Sequence, residues 1–234
     1  MSCFRFKAFQ VIQSASPMKV GTDGVLLGAW TRIGSSDRRI LDIGTGTGLL
    51  ALMMAQRAPQ AEILGVDIDS IEEARLNADL SAWGSRIHLQ QTPVQEFQAA
   101  PFDLILSNPP FFVESLRCPD RGRTMARHAV ALPFAELRDA VVRLLKPEGR
   151  FALVLPIVEA ERFVALAAEV LRPIRRTEVR TTPRHPAKRV LLEMVHAASE
   201  QAVEPMTELM IGTGEHETYT DEYRALTGDF YLKF

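Results

Sequence analysis

The stretch Arg39-Ile-Leu-Asp-Ile-Gly-Thr-Gly-Thr-Gly48 decides the fold of this chain. Its first half is short, apolar and rich in branched side chains, which is typical of a strand buried on both faces of a parallel sheet. Three glycines then form a turn, and segment 49–57 predicts a helix that ends before Pro59. A buried strand, a glycine turn and a helix in this order predict an α/β sheet whose turn approaches a ligand.

Strands and helices alternate along the first 155 residues. Strand-like runs lie at 39–43, 61–68, 86–90, 102–107 and 150–155, and helical patterns at 49–57, 134–145 and 159–171. A further helix is predicted after Asp69 or Ser70, with apolar positions at Ile71, Ala74, Leu76 and Ala78. Segment 146–149 reads as a turn, because it contains proline and glycine. This alternation predicts a parallel, doubly wound sheet.

The last third of the chain adds a reversed strand. Runs 174–180 and 190–196 are joined by a loop that is too short for a crossover helix, so they pair antiparallel. A short strand near 209–211 and a helix around 221–226 complete the pattern. The predicted fold class is therefore α/β, Rossmann-like and doubly wound, with a mainly parallel seven-stranded sheet, one antiparallel strand and helices on both faces.

Length and composition limit the class of protein. The 234 residues suit one domain, 1–234, with 1–38 as an N-terminal extension and 200–234 as a C-terminal element packed on it. A net charge of −2 argues against coating nucleic acid by bulk charge. No membrane span or secretion signal is expected, so the predicted location is cytoplasmic. Cys3 and Cys118 are expected to be free thiols, and no metal site is expected because His128 and His185 lack partners at ligand spacing.

The glycine turn indicates a nucleotide-like cofactor. Gly44, Gly46 and Gly48 permit positive φ and close approach of a ligand, and the helix start supplies unpaired N–H groups. The spacing is GxGxG, and the adjacent Asp42 suits a cationic ligand better than a pyrophosphate. Asp67, at the end of the next strand, can accept hydrogen bonds from ribose hydroxyls. Together they predict S-adenosylmethionine, although a structural turn and a capping role for Asp67 remain alternatives.

A second motif, Asn108-Pro109-Pro110-Phe111, directly follows the run 102–107. Methyl transfer from a sulfonium requires geometry more than a strong acid or base. The Asn108 side-chain oxygen and the Pro109 carbonyl can accept both hydrogens of a flat amine, while the prolines keep this loop rigid. Phe111 can stack on a base. All four are candidate catalytic residues, and a strand-ending turn with a buried aromatic is the structural alternative.

Basic side chains concentrate in two segments that could contact RNA phosphates. The alternative is a solvated face whose charges are balanced by acids elsewhere. The candidate substrate-binding residues are Arg117, Arg121, Arg123 and Arg127 in the first segment, and Arg184, Lys188 and Arg189 within the second, 172–189.

The two motifs together resemble class I methyltransferases of the group that methylates amino nitrogens through an Asn-Pro-Pro-Tyr/Phe motif. Within this group, segments 6–9 and 18–30 are similar to the N-terminal signature of the tRNA1(Val) adenine-N6 methyltransferase family. Segments 189–192 and 225–232 are similar to its C-terminal features, so the resemblance covers essentially the whole chain. It implies a tRNA substrate and S-adenosylmethionine-dependent methylation at N6 of the adenine beside the anticodon of a valine tRNA.

The resemblance also implies roles for individual residues. The Asp42 turn matches the cofactor site, Asp67 the ribose carboxylate, and 108–111 the acceptor motif, with Asn108 also facing the cofactor. Asp23 is expected to shape the cleft at the substrate, or else to cap the helix that follows it. Many relatives carry an aspartate where this chain has Pro93. The Val94 backbone and apolar contacts are therefore expected to hold the cofactor's adenine.

Other functions are compatible with the same motifs. The amide of a release-factor glutamine poses the same problem as an exocyclic amine, so its N5-methylation is the nearest alternative, followed by methylation of another RNA or DNA base. A non-catalytic RNA-binding or cofactor-sensing module would normally have a degraded acceptor motif. A nicotinamide dehydrogenase would prefer GxGxxG spacing. The sequence leaves the oligomeric state open.

Overall fold

The computed structural model describes residues 2–110, 132–216 and 218–234. The strands in these ranges are β1 (Cys3–Arg5), β2 (Gln10–Ile12), β3 (Arg39–Ile43), β4 (Glu62–Asp67), β5 (Ile87–Gln91), β6 (Phe102–Ser107), β7 (Leu145–Pro156), β8 (Leu171–Arg180), β9 (Arg189–His196) and β10 (Thr207–Met210). The α-helices there are α1 (Thr22–Trp30), α2 (Leu49–Arg57), α3 (Glu72–Asp79), α4 (Phe134–Leu144), α5 (Ile157–Ala167) and α6 (Asp221–Thr227).

One sheet contains eight of these strands in the order β10-β8-β9-β7-β6-β3-β4-β5. Neighbours run parallel except at β9, which is antiparallel to both β7 and β8. The predicted Rossmann-like sheet with one reversed strand is confirmed, but it has eight strands rather than seven. The eighth strand is β10, the short strand expected near 209–211, whose 4 residues extend the sheet by parallel pairing with β8.

The parallel strands bring their carboxyl ends to one edge of the sheet. β3 and β6 are direct neighbours, and their last residues, Ile43 and Ser107, are paired in register. The Ser107 hydroxyl donates to the Ile43 carbonyl at 2.9 Å. The glycine turn and Asn108 therefore leave the sheet side by side, at the edge where ligands bind in open α/β sheets.

β7 begins earlier than the sequence predicts. Leu145 pairs with Phe102, and the next pairing joins Arg150 to Leu104, so the ladder shifts register between these points. The predicted turn 146–149 lies inside this shift and bulges from the strand instead of preceding it.

The face of α3 also differs from the prediction. The helix begins with Ile71 as its N-cap, and neither Asp69 nor Ser70 has that position. Leu76 is 42% exposed, whereas Asn77 is only 1% exposed. The prediction that Leu76 lies on the buried face of α3 is therefore wrong, and the polar Asn77 is buried instead.

Helices cover both faces of the sheet, with an apolar core under each layer. On one side, Leu26 of α1 and Leu52 of α2 are buried in a single cluster. On the other, Leu137 of α4 and Phe163 of α5 belong to a second cluster. Burying a side chain of this size contributes roughly 1.5–3 kcal/mol to folding. Within the described residues, no helix is long and apolar enough to cross a membrane.

The beginning and the end of the described chain are attached to each other. The Lys7 backbone N–H donates to the Phe230 carbonyl at 2.8 Å, and the Lys7 ammonium donates to the Phe234 carbonyl at 2.6 Å. The Phe6 and Tyr231 rings stack with their centroids 6.0 Å apart. The β1–β2 hairpin is thus attached to the segment that follows α6.

Candidate active site

The glycine turn between β3 and α2 has a left-handed backbone at all three glycines. Its φ angles are +74° at Gly44, +52° at Gly46 and +80° at Gly48, values that residues with a side chain rarely adopt. No described atom lies within 4 Å of the Cβ position at Gly44 or Gly46. The turn therefore has an open surface on which a ligand can approach the backbone.

Asp42 lies beneath this turn and has no exposed surface. Its Oδ2 accepts a hydrogen bond from the Thr45 hydroxyl at 2.7 Å, which fixes the turn. Its Oδ1 is buried and has no hydrogen-bond partner of good geometry among the described residues. Burial raises the pKa of Asp42 to about 7, against the opposing effect of the Thr45 hydrogen bond. A carboxylate placed in this way is stabilised by a nearby positive charge.

Asp67 holds the turn from the end of β4. Its Oδ2 accepts from the Gly46 N–H at 2.8 Å, and its Oδ1 accepts from the Asp69 N–H at 3.0 Å. The side chain is half-buried, and burial raises its pKa above the usual value. A carboxylate has about four acceptor positions, so these two bonds leave capacity for ligand hydroxyls. The structure thus joins Asp67 directly to the turn above Asp42.

Asn108 follows β6 directly and lies beside the first turn of α1. Asn108 is half-buried and Pro109 is buried, while Pro110 is half-buried. A Cβ at Gly24 would lie 3.6 Å from Asn108 Nδ2 and 3.0 Å from Leu49 Cδ2. The first turn of α1 therefore packs directly against Asn108, and a side chain at Gly24 would crowd Leu49 rather than the amide.

The same turn of α1 is connected to β9 by an ion pair. Asp23 Oδ2 accepts from Arg189 Nε at 2.7 Å. The expectation that Asp23 could cap α1 is wrong, because Gly21 is the N-cap and Asp23 lies inside the first turn. Two predicted substrate-binding residues are thereby brought together, next to the Gly24 that adjoins Asn108.

The β8–β9 loop, residues 181–188, lies at the same edge of the sheet. Pro156, the last residue of β7, pairs with Arg189, which places the loop at the carboxyl end of β7. Arg184 and Lys188 are exposed in this loop. The two cations are therefore accessible on the side of the molecule where Asn108 leaves β6.

Two arginines of β8, Arg175 and Arg176, are balanced by acids. Arg175 pairs with the buried Glu193 at 3.0 Å, and its guanidinium lies 3.4 Å from the Trp30 ring centroid. Arg176 contacts Glu161 at 2.5 Å and Glu178 at 2.8 Å. For this part of segment 172–189, charge balance by acids is therefore the correct interpretation.

Val94 is packed in the apolar core. It is 5% exposed, and its carbonyl accepts from Arg143 Nη2 at 2.8 Å. Its contact with a cofactor adenine stays a prediction. The remaining predicted site residues lie outside the described part of the chain: Phe111, Arg117, Arg121, Arg123 and Arg127.

The sequence pattern gives no role to Asn77, yet its side chain contacts the cofactor turn. Asn77 Nδ2 donates to the Thr47 carbonyl at 2.9 Å. A signal exists in hindsight, because Asn77 lies three residues after Ala74 and next to Ala78, both buried. A polar residue within such an apolar helix face has to find hydrogen-bond partners.

Metal ligation has no support among residues 2–110, 132–216 and 218–234. No group of three or more His, Cys, Asp or Glu side chains in these ranges could hold an ion.

Comparisons of sequence and fold with known proteins identify the class of protein. The family model of the methyltransferase small domain matches residues 12–156. A solved structure from Agrobacterium tumefaciens, described as a predicted O-methyltransferase, aligns with a TM-score of 0.68 at 19% identity, covering 89% of this chain and 96% of that one. A glycopeptide N-methyltransferase in complex with S-adenosyl-L-methionine aligns with a TM-score of 0.54 at 14% identity, over 79% and 99% of the two chains. The protein is thus a methyltransferase of Rossmann-like fold.

Curated relatives specify the family. A protein of Phocaeicola vulgatus named tRNA1(Val) (adenine(37)-N6)-methyltransferase is 44% identical over 233 residues, 98% of this chain and 97% of the relative. The protein of the same name from Flavobacterium psychrophilum is 45% identical over 236 residues, 98% and 99% of the two chains. The chain belongs to the tRNA1(Val) (adenine(37)-N6)-methyltransferase family, which confirms the resemblance carried by its terminal segments.

Proposed function

We propose that the protein transfers a methyl group from S-adenosylmethionine to the exocyclic N6 of an adenine in tRNA. The observation that carries this function is the register of β3 and β6, whose paired ends place the glycine turn beside Asn108. A cofactor site and an amine-binding motif on adjacent strand ends suit transfer between two bound molecules. The names of the curated relatives support adenine in tRNA as the acceptor.

The residues around the turn fit S-adenosylmethionine. Among the described residues, no atom lies within 4 Å of the Cβ positions of Gly44 and Gly46, and none is a well-placed donor to the buried Asp42 Oδ1. Asp67 has acceptor capacity for ribose hydroxyls. When bound, this cofactor supplies a methyl group on a positively charged sulfur. Asp42 favours that charge from beneath the turn, and Gly48 with α2 provides the helix start. Val94 completes the adenine side of the pocket in this proposal.

On the acceptor side, Asn108 and Pro109 act on the amine of the base. The Asn108 side-chain oxygen and the Pro109 carbonyl accept hydrogen bonds from the two N–H groups of the amine, which directs the nitrogen lone pair towards the methyl group. Pro110 keeps the two acceptors in place, and Phe111 stacks on the base. Bonding of the amine nitrogen to the methyl carbon would be balanced by cleavage of the carbon–sulfur bond, which leaves a neutral thioether. The nitrogen would lose its extra proton to water, so no strong base is required.

In this proposal the basic side chains at the carboxyl-end edge of the sheet bind the phosphates of the RNA backbone. Arg184 and Lys188 are exposed on the β8–β9 loop, and the Asp23–Arg189 pair forms the wall between this loop and Asn108. Arg117, Arg121, Arg123 and Arg127 extend the same substrate surface in the proposal. Single-stranded loop bases can leave their stack and enter a protein pocket, as the anticodon loop would require.

We further propose that the target is the adenine at position 37 of tRNA1(Val), and that the enzyme acts in the cytoplasm on this RNA. The chain acts as one methyltransferase domain, 1–234, in which 1–38 and 200–234 are peripheral elements. The contacts of Lys7 with the C-terminal segment support this arrangement.

The test combines methyl transfer with product mapping. Purified protein is incubated with labelled S-adenosylmethionine and tRNA that lacks the modification, and digested RNA is analysed by mass spectrometry. N6-methyladenosine at position 37 of tRNA1(Val), absent with the Asn108→Ala variant, is expected. Label on a release factor but not on RNA would contradict adenine methylation, and label on other tRNAs alone would contradict the valine assignment.

A further inference from the structure

One buried amide on α3 joins two parts of the chain that are distant in sequence. Asn77 is 1% exposed. Its Nδ2 donates to the Ile12 carbonyl and to the Thr47 carbonyl, both at 2.9 Å. Its Oδ1 accepts from the Ile12 N–H at 2.7 Å. The amide therefore binds the end of β2 on one side and the glycine turn on the other.

The contact with Thr47 controls the geometry of the turn. Thr47 lies between Gly46 and Gly48, both with positive φ, so its neighbours provide little conformational restraint. The Thr47 carbonyl and the Gly48 N–H belong to one planar peptide unit. Fixing the carbonyl therefore fixes the direction of the N–H, which donates to Thr45 at 2.8 Å.

Segment 13–20 follows Ile12 along the chain, and the same helix, α3, also holds this segment. Glu73, one helical turn before Asn77, accepts from the Ala15 and Ser16 N–H groups at 2.7 and 2.8 Å. The buried Gln13 accepts from the Val20 N–H at 2.6 Å. α3 thus holds the N-terminal segment at two points, and only the Asn77 point also contacts the glycine turn.

We propose that Asn77 is a positioning residue that couples the N-terminal segment 12–20 to the cofactor turn. This inference rests on the proposed function, because it takes S-adenosylmethionine as the ligand of the turn. Without the amide, the Thr47 carbonyl loses its donor and the turn populates other conformations, so cofactor affinity falls. Coupling between two sites is reciprocal, so cofactor binding also makes segment 12–20 more rigid.

The main test uses Asn77→Asp in the full chain. This isosteric change keeps an acceptor for the Ile12 N–H and removes both donors. Calorimetry is expected to give an S-adenosylmethionine Kd about tenfold weaker, while kcat at saturating cofactor stays within about twofold of the unchanged protein. An unchanged Kd would refute the role of Asn77.

Thr177→Val is the matched control. Thr177 is also a buried polar residue, and it accepts from the Trp30 indole N–H at 2.9 Å, between β8 and the helix layer. Loss of that bond lowers stability without touching the glycine turn, so the Kd for cofactor is expected to stay constant. An equal loss of affinity in this control would show that the Asn77 effect is only general destabilisation.

Hydrogen exchange tests the coupling directly, and Asn77→Ser, which removes the amide donors with a smaller polar side chain, provides a second variant should Asn77→Asp not fold. Cofactor is expected to slow amide exchange in segment 12–20 of the unchanged protein, and less so in either variant. Slowing that is equal in all three proteins would refute the coupling. Failure of the unchanged protein to bind S-adenosylmethionine would instead refute the proposed function, which separates the two results.

Discussion

At the edge of the sheet where the parallel strands end, the β3–β4 side buries acidic side chains, whereas the β8–β9 side exposes basic ones. At β3 and β4, Asp42 is fully buried and Asp67 half-buried, and both have raised pKa values. At the β8–β9 end, Arg175 is paired inside the fold, whereas Arg184 and Lys188 are exposed in the loop. Folding itself therefore buries the acidic side chains at the β3–β4 end of this edge, the cofactor end. At the other end, the loop end, the β8–β9 loop instead leaves the positive charges of Arg184 and Lys188 exposed.

The largest effect is expected at Asn108, where the two ends meet. Asn108→Ala removes the side-chain acceptor for the amine, so kcat should fall roughly 10²–10³-fold while the cofactor Kd changes by no more than about twofold. Single-turnover methyl transfer and calorimetry measure the two quantities. Gln98→Ala, which changes an exposed amide, is the control and should be unaffected. Loss of cofactor binding of the same size would assign Asn108 to the cofactor end instead.

The buried charge of the cofactor end should appear in the pH dependence of stability. Because the pKa of Asp42 rises from 3.8 to about 7 on folding, its contribution to stability is complete below pH 3.8 and is lost as pH rises through 7. Urea unfolding without cofactor should therefore give a free energy of unfolding that falls across this window.

Asp42→Asn removes the titrating group, so the fall in the free energy of unfolding across this pH window should be smaller by a few kcal/mol. Asp79→Asn, at an exposed position of α3, should leave it in place. An unchanged slope in Asp42→Asn would mean that Asp42 stays ionised in the folded protein and is not the buried acid that distinguishes this end.

The exposed charge of the loop end should appear in the salt dependence of RNA binding. The double variant Arg184→Ala/Lys188→Ala should weaken tRNA binding about tenfold at low salt and reduce the slope of log K against log salt by about 2. Filter binding across a salt series measures this slope. Arg176→Ala removes a cation already paired with Glu161 and Glu178, and its slope should not change. Equal slopes in all three proteins would place the RNA surface elsewhere.

The smallest effect is expected at Gly24, which lies on α1 between the Asp23–Arg189 pair and Asn108. A Cβ there would lie 3.0 Å from Leu49 Cδ2, so Gly24→Ala should shift Asn108 slightly and lower kcat about fivefold. Gly21→Ala is the control, because its Cβ would meet only the Lys19 carbonyl at 3.9 Å. Steady-state kinetics with saturating cofactor separates them, and equal rates would show that α1 can adjust freely.

The sequence predicted best what local pattern determines. The strand 39–43, the three glycines and the run 102–107 lie where expected, because apolar periodicity and positive-φ turns are properties of short segments. The sheet class follows from the alternation of these segments. The short strand near 209–211 is also present, but its pairing with β8, which makes the sheet eight-stranded, joins segments about 30 residues apart and is not visible in the local pattern.

Tertiary contacts account for the rest. Ile12 and Thr47, the partners of Asn77, lie 65 and 30 residues away from it along the chain. Asp23 and Arg189, which pair with each other, are 166 residues apart. No local pattern encodes such distances. The same holds for the pairs of Arg175 with Glu193 on β9 and of Arg176 with Glu161 on α5. A run of basic residues therefore contained both structural ion pairs and exposed cations, and only the fold separates them.

The attachment of the β1–β2 hairpin to the C-terminal segment affects how the protein is made. Lys7 is bonded to a carbonyl 227 residues further along the chain. At a synthesis rate of about 5–20 residues per second, the hairpin waits roughly 10–45 s for this partner. Phe6 stays without the Tyr231 ring for that time. The nascent protein thus carries an uncovered apolar surface at Phe6 until residues 230–234 leave the ribosome.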